Sequence, residues 1–337
     1  MAHEIETIMF AGQTPWHGLG TYVGEHNVTS QEAIVKAGLD WEVGLMGGFY
    51  AHPRTGELVD MSTQAIVRLT DGAKLGEVGS RYQPVQNRDA CAFMDGLALD
   101  GAMRYHTAMS LKGGSRIAIL AQLPGGFTIG KGDRNYPFAL LSNPHDGSGK
   151  LRVLPTNVRV VCANTERLAL RSHDGIAISH DGSIASKLEA AREALGMVAA
   201  QHDLFGSLAR VLADTPMPQG DMRELAKHLM PVQTDMSDRV KQRVQDDREL
   251  LVDLQRHGKG NDLPGVAGSA WAALNAVTEY VGNYRGSRSS QEARLESAWF
   301  GQGNAMTQQA VSWMSSAYSL GMDDAADSRA QQHLSIV

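Results

Sequence analysis

The order of apolar and polar positions changes character once along the chain. Up to about residue 182, apolar residues alternate with polar ones or come in short runs, punctuated by Gly, Asp, Asn and Pro. That grammar belongs to strands joined by tight turns. From about residue 183 the apolar residues recur three, four and seven apart, as in Ile184, Leu188, Ala191, Leu195, Val198, Phe205 and Leu208. This is the period of a helix that buries one face. The pattern predicts an α+β protein: a mostly antiparallel sheet domain with short helices over 1–182, then a helical domain over 183–337.

Local signals refine the elements. Thr29 and Glu32 form a possible capping box for a helix that closes on Gly38. "WEVGLMGGFYAH" and "ELVDMSTQAIVRL" read as strands around a "PRTGE" turn, and Asp71-Gly72 favours a tight hairpin after them. Asn87 is placed to cap a helix through about Leu99, with Ala90, Phe93, Met94 and Leu97 on one face. "MRYHTAMSL" and "SRIAILAQL" form a hairpin through "KGG", and "LPGGFTIGKGD" forms another. "YPFALLS" and "LRVLPTNVRVVCA" add further strands. In the helical region a long helix, bent near Gly196 or Gly206, leads to a "DTPMPQGD" linker. Helices are expected at 237–257, near 266–282 and over 290–320, the first stopping at Gly258.

Composition narrows the class. The 337 residues are 42% hydrophobic and 20% charged, as in soluble globular proteins. No run of eighteen apolar residues occurs, so no membrane partner is expected. The first residues lack a basic stretch followed by an apolar one, and Cys91 and Cys162 make no disulfide framework. Both points indicate a cytoplasmic location.

Catalytic chemistry finds little support. Cys162 lies in the apolar run "VRVVCAN", where a thiol is a small buried hydrophobe rather than a nucleophile. His17, His145, Asp146, His173 and His180 could feed a metal site, and His-Asp-Gly occurs three times, but no ligand spacing of a known metal motif is present. The glycines of 123–133 do not have phosphate-loop spacing. No cofactor is expected, and a metal-dependent hydrolase using the His-Asp-Gly histidines stands as an alternative.

Charge changes the picture. The chain carries −6 overall, yet residues 101–172 hold ten Lys and Arg against three Asp and Glu, a local +7. A cationic segment in an acidic protein points to a polyanion partner. Arg104, Lys112, Arg116, Lys150, Arg152, Arg159 and Arg167 are the candidate phosphate contacts, and Tyr136 is a candidate stacking ring, with Tyr82, Tyr105 and Phe127 also interleaved. His145, Asp146 and Gly147 form a turn that presents Lys150 and Arg152.

Several stretches together carry a resemblance: "TPWHGLGT", "GSRYQPVQNRDACAFMDGL", "SNPHDGSGKLRVLPTNVRVVCANT", "AWAALNAVTEYV" and "GQGNAMTQQAV". They resemble the phage/plasmid-like family built on domain of unknown function 932, which implies a phage or plasmid context and no catalytic residue. The order of a glycine-rich strand ending in Tyr82, a helix and a hairpin is similar to the core of Rad52-like single-strand annealing proteins. That similarity implies an oligomer that holds single-stranded DNA in a basic groove without covalent catalysis, acting in phage recombination beside a phage exonuclease or single-strand-binding protein. A phage protein that binds a host protein through its acidic helices is a further alternative.

Overall fold

The computed structural model describes residues 8–10, 21–22, 28–99, 101, 103–159, 164–166, 176–177, 184–286 and 291–320. The strands are β1 (Ile8–Phe10), β2 (Thr21–Tyr22), β3 (Val43–Ala51), β4 (Leu58–Arg68), β5 (Lys74–Gly79), β6 (Arg104–Leu111), β7 (Arg116–Gln122), β8 (Phe127–Ile129), β9 (Asp133–Pro144), β10 (Arg152–Arg159), β11 (Asn164–Glu166) and β12 (Ile176–Ala177). Two helices lie among them, α1 (Ser30–Lys36) and α2 (Asn87–Leu99). From Ile184 onward the described residues form helices and turns: α3 (Ile184–Asp214), α4 (Gln219–Leu229), α5 (Asp238–His257), α6 (Ala270–Glu279) with a π-turn at Tyr280–Tyr284, α7 (Gln291–Phe300) and α8 (Gln302–Tyr318). The protein is α+β, antiparallel strands first and helices after.

The chain forms two compact units that interleave along the sequence. The first takes residues 1–124, 138–155 and 174–198; the second takes 125–137, 156–173 and 199–337. The chain passes between them within β9, within β10 and within α3.

In the first unit β3, β4 and β5 make an antiparallel three-stranded sheet. A second set runs β2–β1–β6–β7–β9, antiparallel except for the parallel β1–β2 pair. The expected order of strand, helix and hairpin is present, but β5 pairs with β4 and does not join the strands of the β6–β7 hairpin. Tyr105, Ile117, Ile119, Ala139 and Leu141 face a core that also holds Ile34, Leu39, Trp41, Leu195 and Val198. Met109, Ala118, Leu120, Phe138 and Leu140, at alternate positions, are buried as well, so these strands read as nearly unbroken apolar runs. The capping box forms as expected, with Thr29 and Glu32 each bonding the other's backbone N–H. Ser30 and Tyr105 both donate to the Asp95 carboxylate, at 2.6 and 3.0 Å, tying α1, α2 and β6 together. Asn87 corrects its expected role. It is buried within α2, and its Nδ2 donates to the Leu39 carbonyl at 3.0 Å instead of its side chain capping the helix.

The second unit is built around α6, whose ten residues are all buried. Trp271 Nε1 donates to Asp133 Oδ2 at 2.7 Å, which anchors the β8–β9 hairpin to that helix. The helix α3 runs unbroken through Gly196 and Gly206. A Cβ at Gly206 would lie 2.9 Å from Phe127, so this glycine serves close packing. The single helix expected over 290–320 is two, because Gly301 adopts φ −120, ψ −152, outside the helical region. A Cβ at Gly303 would stand 2.6 Å from Val281, so only glycine admits this return of the chain.

Candidate nucleic-acid interface

Two turns of the first unit meet on β5. The Lys112–Ser115 turn joins β6 to β7, with Lys112 at φ +52 and both following glycines also at positive φ. Left-handed backbone suits glycine and strains lysine, whose Cβ crowds the carbonyl. Gly114 is held against Arg68 and Trp41, and the Arg68 guanidinium lies 5.4 Å from the Trp41 ring while pairing with Asp71 at 2.7 Å. Ser115 Oγ donates to the Leu75 carbonyl at 3.3 Å, and the Ser115 carbonyl accepts the His145 N–H at 2.8 Å.

The His145–Ser148 turn sits beside it. Asp146 Oδ1 accepts the Ser148 N–H at 2.9 Å, and Gly147 takes φ +78. A Cβ at Gly76 would lie 2.5 Å from the Asp146 backbone, so β5 and the turn are in direct backbone contact. His145 is fully buried against Trp41, ring centroids 5.4 Å apart. Asn87 spends its amide on Leu39, so its Oδ1 is an acceptor and His145 Nε2 carries the proton that it receives at 2.7 Å. Burial holds the imidazole down to about 4, so it is neutral at physiological pH.

These turns collect part of the expected cation set. Arg116 is partly buried, and its guanidinium reaches Ser148 Oγ at 3.4 Å; Lys112 and Lys150 are exposed. Arg152 pairs in register with Ala177 and lies on the strand face opposite Val153, which faces the core. Tyr82 is half-buried, and burial, with the Asp146 carboxylate adding to it, raises its hydroxyl pKa. Arg104 is exposed at the far end of the hairpin, about 20–25 Å along β6 from Lys112, and donates to Gln122 at 2.8 Å. Tyr136 belongs to the second unit, its ring against Gly126. Arg159 pairs in register with Asn164, also in the second unit. Arg167, Cys162, His17, His173 and His180 lie outside the described residues. Tyr105 and Phe127 cannot stack on a base, because both rings are buried in the cores. Among the described residues no three His, Cys, Asp or Glu side chains stand where they could hold a metal ion, and no helix there is long and apolar enough to cross a membrane.

Sequence reasoning missed a second cationic cluster. In the second unit Arg243, Arg285 and Arg294 line a pocket of ≈ 480 Å³ with Asp247, Tyr280 and Ser297. Its arginines come from α5, the end of the π-turn and α7, so no local motif announces it. The available signal is an arginine and an aspartate among valines on one face of α5.

No curated protein and no solved structure matches the chain. A family model described as "Domain of unknown function (DUF932)" matches residues 74–299, about two thirds of the chain, which takes in both turns and the arginine pocket; the protein belongs to that family.

Proposed function

We propose that the protein binds single-stranded DNA non-covalently, through the two-turn end of its first unit. The observation that carries the reading is that the turn bearing Lys112 and Arg116 meets the His145–Ser148 turn, which ends two residues before Lys150, on one strand. Asp146, the carboxylate within them, accepts a backbone N–H. Rigid turns hold cations without the ordering cost of a flexible loop. Tyr82 beside them offers a ring for a base.

The test is fluorescence anisotropy of a labelled oligonucleotide across a salt series. Three or four phosphate contacts should give a slope of log affinity against log salt of roughly −2 to −3, at about 0.7 per contact on a single strand. Lys112→Glu with Lys150→Glu should abolish binding at moderate salt while the fold, read by circular dichroism, stays intact. No binding by the unaltered protein at low salt would end this reading.

A further inference from the structure

We propose that the arginine pocket of the second unit is a binding site for a small phosphomonoester with an organic body, of the size of a nucleoside monophosphate. The site uses other elements than the two-turn end and does not depend on the DNA reading.

The argument begins with α5. Val240, Arg243, Val244 and Asp247 fall at i, i+3, i+4 and i+7, the stripe a helix normally buries. Here half of that stripe is charged, and it faces a pocket instead of core. The π-turn supplies the next wall. Its wider winding, closed by the Arg285 N–H to the Tyr280 carbonyl at 2.8 Å, brings Tyr280 and Arg285 to the same opening. Such turns recur at functional sites. Arg285 is braced by Gln302 Oε1 at 2.9 Å and Ser297 Oγ at 3.5 Å, so its fork is held before any ligand arrives.

Charge selects the ligand. Among the described lining residues Arg243 is exposed and Arg285 is bonded to the neutral Gln302 and Ser297, while Asp247 is engaged with the Tyr280 hydroxyl, whose pKa burial and that carboxylate push up to about 12. Arg243 and Arg285 offer two guanidinium forks to a phosphomonoester, which carries roughly −1.5 to −2 at neutral pH. Guanidinium forks suit its oxygens in a bidentate manner. The ≈ 480 Å³ volume lies within the range of organic ligand sites, and Met230, Val240, Val244 and Val281 give one side of it an apolar lining.

Isothermal titration calorimetry on the full chain at low salt, with adenosine 5′-monophosphate, inorganic phosphate and adenosine, tests this. The monophosphate should bind, phosphate more weakly, adenosine not at all. Arg243 is exposed, so Arg243→Ala should keep the fold and weaken the monophosphate at least tenfold, with Arg243→Lys recovering part of the loss. Absence of heat with both anions, phosphate binding that excludes the monophosphate, or unchanged affinity in an Arg243→Ala/Arg294→Ala double variant would each overturn the proposal. The same double variant should bind an oligonucleotide lacking terminal phosphates as the unaltered protein does. Oligonucleotide and monophosphate measurements therefore fail or succeed separately.

Discussion

Lys112 occupies a backbone conformation, φ +52, that two neighbouring glycines adopt without strain. Retaining lysine there costs on the order of 1 kcal/mol, a cost that a charge needed at the tip of the hairpin would justify. Lys112→Gly should raise stability by up to about 1 kcal/mol, offset in part by the looser unfolded chain, and weaken DNA binding at the same time. Urea denaturation and anisotropy on one preparation check both; unchanged binding would remove Lys112 from the interface. His145 makes a different prediction. Burial holds it, and likewise His202, whose Nδ1 bonds Asn157, down to about 4. In the unfolded chain both take up a proton near 6.5, so acid favours unfolding. Stability from these groups is complete above that value and declines as pH falls toward 4, by up to about 1.4 kcal/mol per pH unit for each. Urea midpoints at pH 7 and pH 5 should differ accordingly, and equal midpoints would contradict the buried, neutral state of the two rings.

At the scale of elements, the hairpins were legible because Asp-Gly, Lys-Gly-Gly and Gly-Lys-Gly name their turns, and α1 because its capping box is spelled out in four residues. The α7–α8 break was not legible. Gly301 looks like Gly196 and Gly206 in a helical pattern, and only its neighbours tell them apart: Ser297 and Val281 crowd the return after Gly301, while α3 continues through the other two. The same contrast gives a prediction within α3. A Cβ at Gly196 meets nothing, so Gly196→Ala should stabilise by up to about 1 kcal/mol through helix propensity. Gly206→Ala gains the same propensity but drives a methyl to 2.9 Å from Phe127, and overpacking of this kind typically costs about 1–3 kcal/mol. Thermal melts of the two variants should move in opposite directions. The site divides likewise. Lys112 and Arg116 were legible as cations of one basic segment and His-Asp-Gly as a turn, but that the two turns lie side by side on β5 needs the fold; so does the arginine pocket, which draws on positions from 230 to 297.

For the molecule as a whole, the change from strand to helix at Ile184 does not mark where the compact units part, since Leu195 and Val198 of α3 belong to the core of the first. A fragment ending at residue 182 lacks those side chains and should give no cooperative melt, whereas the full chain should; a sharp, reversible transition in the fragment would show that the first unit closes without α3. The interleaving also bears on the order in which the protein can acquire its shape during synthesis. The first unit stays incomplete until residue 198 has left the ribosome, and by then the 125–137 segment and β11 of the second have been waiting for the helices they pack with. At about 5–20 residues per second, those segments spend several seconds without partners. Early exposure of the β8–β9 hairpin, with Phe127 and Trp271's future partner Asp133 uncovered, is thus written into the chain's route rather than into its finished form.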